Sequence, residues 1–240
     1  MGNKKMKKEA YAMDLHIHSA LSPCAHEDMT PNNIVNMAHL KGLDIIAVTD
    51  HNSAENLPGI QQCCKEKDIL LLPGIEVNSK EEVHLLTYFS TLAMALEFSH
   101  ILYEHLPPIE NNKNIFGTQR IIDKEDSIVD EVRKLLISAT DLSIDKIIKI
   151  VKEMGGVTVA AHVDKNNNSI FSNLGFVPDY LEFKTLEVLN KEQRSQNDLN
   201  STGRYNIISS SDAHYLWQIL ERREFIQLHT LSVKELINTL

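Results

Sequence analysis

Eight apolar segments of strand length recur along the chain, at residues 13–19, 44–49, 69–77, 83–89, 157–162, 185–189, 206–210 and 225–228. Helical spacings or polar turns separate them, a rhythm that predicts an α/β fold built on a parallel sheet or barrel with crossover helices. The first helix is delimited by Thr30 as N-cap, Pro31 at the first helical position and Gly42 just past its end. Another starts at Ser143, where Ile144, Ile147, Ile148 and Val151 recur at helical spacing until Gly155-Gly156 stops the run. Residues 91–127 break the rhythm. There a helix reaching His105 is ended by Pro107-Pro108 and followed by a polar stretch, the pattern of an insertion or lid after the fourth strand. No boundary divides the rest, so the expected organisation is a flexible basic tail over 1–10 and one domain over 11–240.

Composition narrows the setting. The 240 residues are 42% hydrophobic and 24% charged, enough for one sizeable core, and carry a formal net charge of −9. That acidic balance, with only 6% aromatic residues, argues against extended nucleic acid as the partner and for a small substrate. No apolar run approaches the roughly 20 residues of a membrane span, so no membrane partner is expected. Three cysteines, two of them adjacent at Cys63 and Cys64, make a poor disulfide framework and favour a reducing compartment, the cytoplasm.

Candidate chemistry gathers at the strand ends. In Asp14-Leu-His16-Ile-His18 strict alternation would place Asp14, His16 and His18 on one face, with Met13, Leu15 and Ile17 on the other. Two imidazoles on alternate strand positions can grip one Zn²⁺, Mn²⁺ or iron ion, and Asp14 could orient one of them. Further ligand types follow at other predicted strands: Asp50-His51, Glu76, His84, His162 and Asp212-Ala-His214. Six histidines and two carboxylates from six strands are what a barrel collects at one mouth. Burying them together without cations would be very costly, so a multinuclear metal centre is expected. His39, His100, His105 and His229 lie away from strand mouths and are read as ordinary polar residues. Asp50 and Glu187 are read either as partners of ligating imidazoles or as solvated or capping carboxylates.

The ordered motifs Asp14-Leu-His-Ile-His-Ser, Val48-Thr-Asp-His-Asn52, Pro73-Gly-Ile-Glu76, Val83-His-Leu-Leu86, Ala160-Ala-His-Val163 and Ser211-Asp-Ala-His214 resemble those of the PHP (polymerase and histidinol phosphatase) family. The resemblance runs from residue 14 to 214 and implies a distorted TIM-like (β/α)₇ barrel with up to three divalent metal ions, Zn, Mn or Fe. It implies that His16, His18, Glu76 and Asp212 hold one metal, that Glu76 bridges to a second held by His84 and His162, and that His51 and His214 hold the third. One position departs from the family pattern. Many relatives carry Ser-Asp-Gly soon after the first motif, whereas this chain reads Ser22-Pro-Cys-Ala-His-Glu-Asp28. Counting back from Pro31 puts His26 in the aspartate's place, with Glu27 the close second and Cys24 a third choice.

Such a centre suits phosphate ester hydrolysis by a metal-bound hydroxide, with Glu76, Asp212 and His214 as the catalytic carboxylates and imidazole. Arg120 and Lys165 stand out as cations for the substrate phosphate, the alternative being surface cations paired with Asp123 or Glu125. A small phosphate monoester or nucleotide ranks first as substrate. The alternatives are a 5′-3′ exonuclease on short oligonucleotides, an amidohydrolase-type enzyme, and a metal-binding regulatory domain without turnover.

Overall fold

The computed structural model describes residues 7–189 and 203–240. In chain order the elements are β1 (Glu9–Ile17), α1 (Pro31–Leu40), β2 (Ile45–Val48), α2 (Leu57–Glu66), β3 (Leu70–Leu71), β4 (Gly74–Asn78), β5 (His84–Tyr88) and α3 (Leu92–His105). They continue with α4 (Lys113–Phe116), β6 (Arg120–Ile122), β7 (Ile128–Glu131), α5 (Ile144–Glu153), β8 (Val157–Ala160), α6 (Ile170–Leu174), β9 (Thr185–Val188), β10 (Asn206–Ser209), β11 (Phe225–Leu228) and α7 (Val233–Thr239). The start of α1 follows the expected chemistry: the Thr30 side chain accepts from Asn33 N, and Pro31 opens the helix where no N–H is needed.

The strands form two main sheets, in the orders β11-β1-β2-β3 and β10-β9-β8-β5-β4, plus the β6-β7 hairpin. No continuous closed barrel ladder joins them among the described residues. The sheets meet through single bridges, Ile17 with Ala213 and His51 with Glu76, both parallel. The segment expected as one strand over 69–77 is broken at Pro73, which has no N–H to give a ladder. Leu70–Leu71 therefore pairs with β2, while Gly74–Asn78 pairs with β5 in the other sheet.

The sheets are also less parallel than the sequence suggested. β5 runs antiparallel to both β4 and β8, because the short link between β4 and β5 allows a hairpin but no crossover. His84 consequently opens its strand, yet it lies beside the end of β4 that carries Asn78. A second correction concerns β1, whose register shifts between Asp14 and Ile17. One extra residue at a bulge reverses the alternation. Met13 and Leu15 lie in one core cluster, with Leu86, Tyr88 and Val159, whereas Ile17 joins Ala12 in the other, which takes in buried residues of α1, α2 and α5. Asp14 is thereby separated from the face that carries His16 and His18.

β1 starts at Glu9, so residues 9 and 10 of the expected tail pair with Leu228 and Gln227 of β11. The region 91–127 is likewise no detached piece. α3 buries Ala95, Phe98 and Leu102, a stripe at helical spacing, and the Phe98 ring lies 5.2 Å from Phe89. Its remainder is tied down by Asn56, which donates to Arg120 O and accepts from Ile122 N. No helix among the described residues is long and apolar enough to cross a membrane.

Candidate metal centre

Loops just past strand ends deliver most of the ligand-type side chains. His51 follows β2, His162 follows β8, and Asp212 and His214 follow β10, while Glu76 and His84 sit on the β4-β5 hairpin. His162 (φ 27°) and Asp212 (φ 52°) adopt left-handed backbone, which costs on the order of 1–3 kcal/mol per residue and persists where surrounding contacts enforce it. Those contacts are visible around Asp212. His18 N donates to Ala213 O and Ala213 N to His16 O, locking the loop against β1. Asp14 adds to the lock, since its carboxylate accepts from Ser211 N (3.0 Å) and Leu220 N (2.9 Å). It positions the loop that bears Asp212 and His214 and does not orient an imidazole as expected.

Glu76, 1% exposed, lies at the middle of the cluster. Its Oε1 is 3.3 Å from His16 Nε2, 2.9 Å from His84 Nδ1 and 3.1 Å from His162 Nε2. Its Oε2 is 3.3 Å from His18 Nε2 and 3.0 Å from His51 Nδ1. Asp212 Oδ1 lies 3.1 Å from His18 Nε2 and 3.3 Å from His16 Nε2. Three trios of donor atoms fall within 4.8 Å of one another: His16, His18 and Asp212; His51, Glu76 and His84; and His18, His51 and His214.

Proton placement shows that these atoms fit cations. The Ser22 hydroxyl has one hydrogen, directed at Asp50 Oδ1 (2.6 Å), so Ser22 Oγ accepts from His51 N (3.1 Å) and from His18 Nδ1 (3.0 Å). His18 Nε2 is then a bare lone pair. His16 Nδ1 faces both oxygens of Glu187 at 3.0–3.2 Å and donates to them, which leaves its Nε2 bare as well. The two bare nitrogens are 3.2 Å apart and point at carboxylate oxygens. His214 Nδ1 donates to Asp212 O (2.8 Å), exposing a third lone pair at Nε2. Lone pairs facing lone pairs repel unless positive charge sits between them. Glu76 Oε2 and His51 Nδ1, both buried, make no hydrogen bond of acceptable geometry despite their proximity. At His84 the Asn168 amide nitrogen lies 2.9 Å from Nε2; a half-turn of that amide would bring its oxygen there to accept from Nε2–H and would free Nδ1.

Without cations, protons take up part of this charge. Burial alone would lower the His18 and His51 pKa values, but Asp212 and Glu76 around His18, and Glu76 with the Cys24 thiol around His51, lift each to about 9. For His16 burial is likewise outweighed, by Glu187, Glu76 and Asp212. Burial prevails at His84 and His214 and holds them neutral, with pKa values lowered to about 4 and about 3. Although burial opposes their ionisation, the surrounding imidazoles hold Glu76 and Asp212 well below the usual carboxylate range.

The cluster opens into a cavity of about 290 Å³ lined by Cys24, His51, Lys165, Asn168, Asp212 and His214 among others. Of the three choices for the departing position, Cys24 reaches this cavity. His26 and Glu27 face an adjoining one, where His26 Nδ1 accepts from Asp28 N and its ring lies tilted 5.3 Å from Tyr215, and Glu27 pairs with Arg120 at 3.3 Å. Lys165 pairs with Asp212 on the cavity wall, and Arg120 reaches neither Asp123 nor Glu125 in an ion pair among the described residues. His39, His100 and His229 are exposed, and His105 pairs with Asp141, all away from the cluster. A larger groove of about 660 Å³ lies between α5 and the chain's end, lined by Val157, Leu181 and Leu240, and holds none of these ligands.

Residue-level reading passed over Ser22 and left Glu187 undecided. The signal for Glu187 was available: an acidic residue within the apolar run Thr185-Leu-Glu-Val188, wholly buried, whose Oε2 also accepts from His162 N (2.9 Å). Glu187→Gln should lower metal affinity or turnover about 10- to 100-fold, the scale seen when a ligand's orienting carboxylate is lost. Isothermal titration with Zn²⁺ checks it; unchanged affinity would remove Glu187 from the centre.

Several imidazoles converge on shared carboxylates at one end of an α/β fold, a side-chain set able to hold divalent cations. The chain belongs to the PHP domain family, whose model matches residues 14–174. An uncharacterized protein of Methanocaldococcus jannaschii is 28% identical over 164 residues, 68% of this chain and 18% of that protein. Among solved structures, the lesion-specific endonuclease EndoQ of Pyrococcus furiosus superposes with a TM-score of 0.69 at 20% identity, covering 96% of this chain and 55% of that one. A Bifidobacterium adolescentis protein described as a metal-dependent phosphoesterase gives 0.58 at 21% identity, covering 87% and 89%. This chain thus spans about half of EndoQ and under a fifth of the archaeal relative.

Proposed function

We propose that the chain hydrolyses phosphate esters at a three-metal centre, held by His16, His18 and Asp212, by Glu76, His84 and His162, and by His51, His214 and Cys24, with Glu76 shared. The observation that carries this reading is the convergence of five imidazole nitrogens within 3.3 Å of the buried Glu76 carboxylate. Divalent ions bound there supply Lewis acidity toward a phosphoryl oxygen and acidify water toward neutral pH. The protein's own groups bind and orient. Lys165 presents an ammonium at the cavity wall that can exchange Asp212 for a substrate phosphate oxygen, and Arg120 in the adjoining cavity offers a forked donor to a more distant phosphate. His214, neutral and with Nε2 free, serves as ligand or proton acceptor. The ring β1, β2, β4, β5, β8, β9, β10, joined by the Ile17–Ala213 and His51–Glu76 bridges, is read as the distorted seven-stranded barrel that carries the site.

Cys24 is assigned over His26 and Glu27 because it alone of the three lines the metal cavity, together with His51 and His214. A thiolate suits Zn²⁺ or Fe²⁺ beside imidazole. Cys24→Ser should cost one equivalent of metal per chain by elemental analysis, and Cys24→Asp should restore it. Retention of every equivalent in Cys24→Ser would return the position to His26 or Glu27.

The reaction is tested on the Mn²⁺- or Zn²⁺-loaded protein with a phosphate monoester, a phosphodiester and a 5′-phosphorylated oligonucleotide. Monoester turnover supports a phosphatase, and mononucleotide release supports the exonuclease alternative. Turnover of an amide with no ester cleaved would favour the amidohydrolase reading. Bound metal with no turnover at all would leave a regulatory domain.

A further inference from the structure

One residue beyond His214 the chain begins to turn aromatic rings outward. Tyr215 is 43% and Trp217 72% exposed, with ring centres 6.3 Å apart and planes 29° from parallel. His26 continues the strip, 5.3 Å from Tyr215. These rings are held out by a braced backbone. Gln218 Oε1 accepts from both His214 N (2.8 Å) and Tyr215 N (3.0 Å), and Lys41 Nζ donates to Trp217 O (3.1 Å) and to Ile219 O. The cost of exposing an indole is therefore built into the same short turn that places His214.

The strip borders a cavity of about 390 Å³ lined by Tyr215, His26, Arg120, Lys113, Thr118 and Cys24. Cys24 lines both this cavity and the metal cavity, and Tyr215 here adjoins His214 there, so the two cavities are neighbours and a ligand with its phosphate at the metals would have its remainder directed toward the rings. Among the described residues the Arg120 guanidinium pairs with the exposed Glu27, a pairing of little strength that a phosphate could replace. Flat π-faces beside a guanidinium, one residue from a phosphate-hydrolysing centre, match a planar base joined to a phosphate. They match a sugar phosphate poorly, because it offers no planar face.

We infer that His26, Tyr215 and Trp217 form a base-stacking subsite, and that the substrate class is nucleotidyl: a nucleotide or a single-stranded nucleic-acid end whose base lies on these rings while its phosphate reaches the metal centre. This rests on the phosphoesterase reading for the phosphate position. It also accounts for His26, which faces this strip and not the metals.

Trp217 is the single tryptophan of the chain, so intrinsic fluorescence reports the subsite directly. Titrating the full chain with adenosine 5′-monophosphate should change the emission saturably, whereas ribose 5-phosphate and inorganic phosphate should not. In steady-state assays of a nucleotidyl ester, Trp217→Ala should raise KM about 10- to 100-fold, the scale of one stacked base, with a far smaller change in kcat. Trp217→Phe should recover most of it, and Tyr215→Ala provides a second variant at an exposed site. An emission change equal for ribose 5-phosphate and nucleotide, or an unchanged KM in both alanine variants, would overturn the assignment. The two readings fail separately. Nucleotide-specific quenching without hydrolysis of any ester rejects the phosphoesterase reading alone, and ester hydrolysis with a silent Trp217 rejects the stacking subsite alone.

Discussion

Glu76→Gln should leave the chain folded but strip most of its metal and reduce phosphoester turnover by about 10³-fold or more, as expected when a principal charge-stabilising group is removed from a metal site. The substitution keeps the side chain's shape. It replaces two acceptor oxygens, which between them lie within 3.3 Å of His16, His18, His51, His84 and His162, by one oxygen and one NH₂ donor. The amide carries no charge to bring cations together, and in either orientation it turns a hydrogen toward nitrogens that would otherwise offer lone pairs to metal. Folding should survive because the buried anion is itself costly: neutral glutamine removes that cost while the imidazoles relax to their uncharged forms. Elemental analysis with far-ultraviolet circular dichroism checks both halves. A folded Glu76→Gln protein retaining all its metal and full turnover would reject Glu76 as the shared ligand.

Local periodicity and side-chain chemistry made the candidate ligand set readable, while non-local pairing decided what they could not reveal. His16, His18, His51, Glu76, His84, His162, Asp212 and His214 were identifiable because acidic and imidazole groups ending apolar runs have few low-energy fates. The structure brings all eight to one rim. The role of Asp14 was not readable, because the bulge after it depends on pairing with β2, and one inserted residue reverses which face a side chain occupies. The direction of β5 was implicit in the short link before His84, although an alternating pattern alone does not distinguish hairpin from crossover. Cys24 and His26 lie two residues apart in a loop, where spacing does not determine direction; only the folded loop turns one to the cavity lined by His51, Asp212 and His214 and the other to Tyr215. Ser22 was hidden for a different reason. A serine becomes informative only once its single hydrogen is committed to Asp50, which leaves its lone pairs to fix His18 and the His51 backbone.

Chelation should lower the melting temperature, and the gap between metal-loaded and metal-free protein should widen as pH rises from about 6.5 to about 9. Ligand present at a hundred times its dissociation constant stabilises by about 2.7 kcal/mol per site. In a chain of this size each kcal/mol moves the midpoint by about 2–4 °C, so one site accounts for roughly 5–11 °C. The pH dependence follows from the metal-free cluster. His18 and His51 have folded pKa values raised to about 9 from an ordinary 6.5. A group raised on folding contributes stability that is fully present below its unfolded value and is lost as pH climbs through its folded value. The metal-free protein should therefore lose stability across that window as protons leave nitrogens that face the Glu76 and Asp212 carboxylates. Metal binding removes the same protons, so its affinity should strengthen with pH until the imidazoles are neutral. His84 and His214, lowered to about 4 and about 3, are already neutral throughout and add no dependence there. Differential scanning calorimetry with and without a chelator, at several pH values from 6 to 9 and fixed ionic strength, measures both curves. Coincident midpoints at every pH would mean that no tightly held cation stabilises the fold. A gap that narrows with rising pH would show that metals and protons do not compete for His18 and His51.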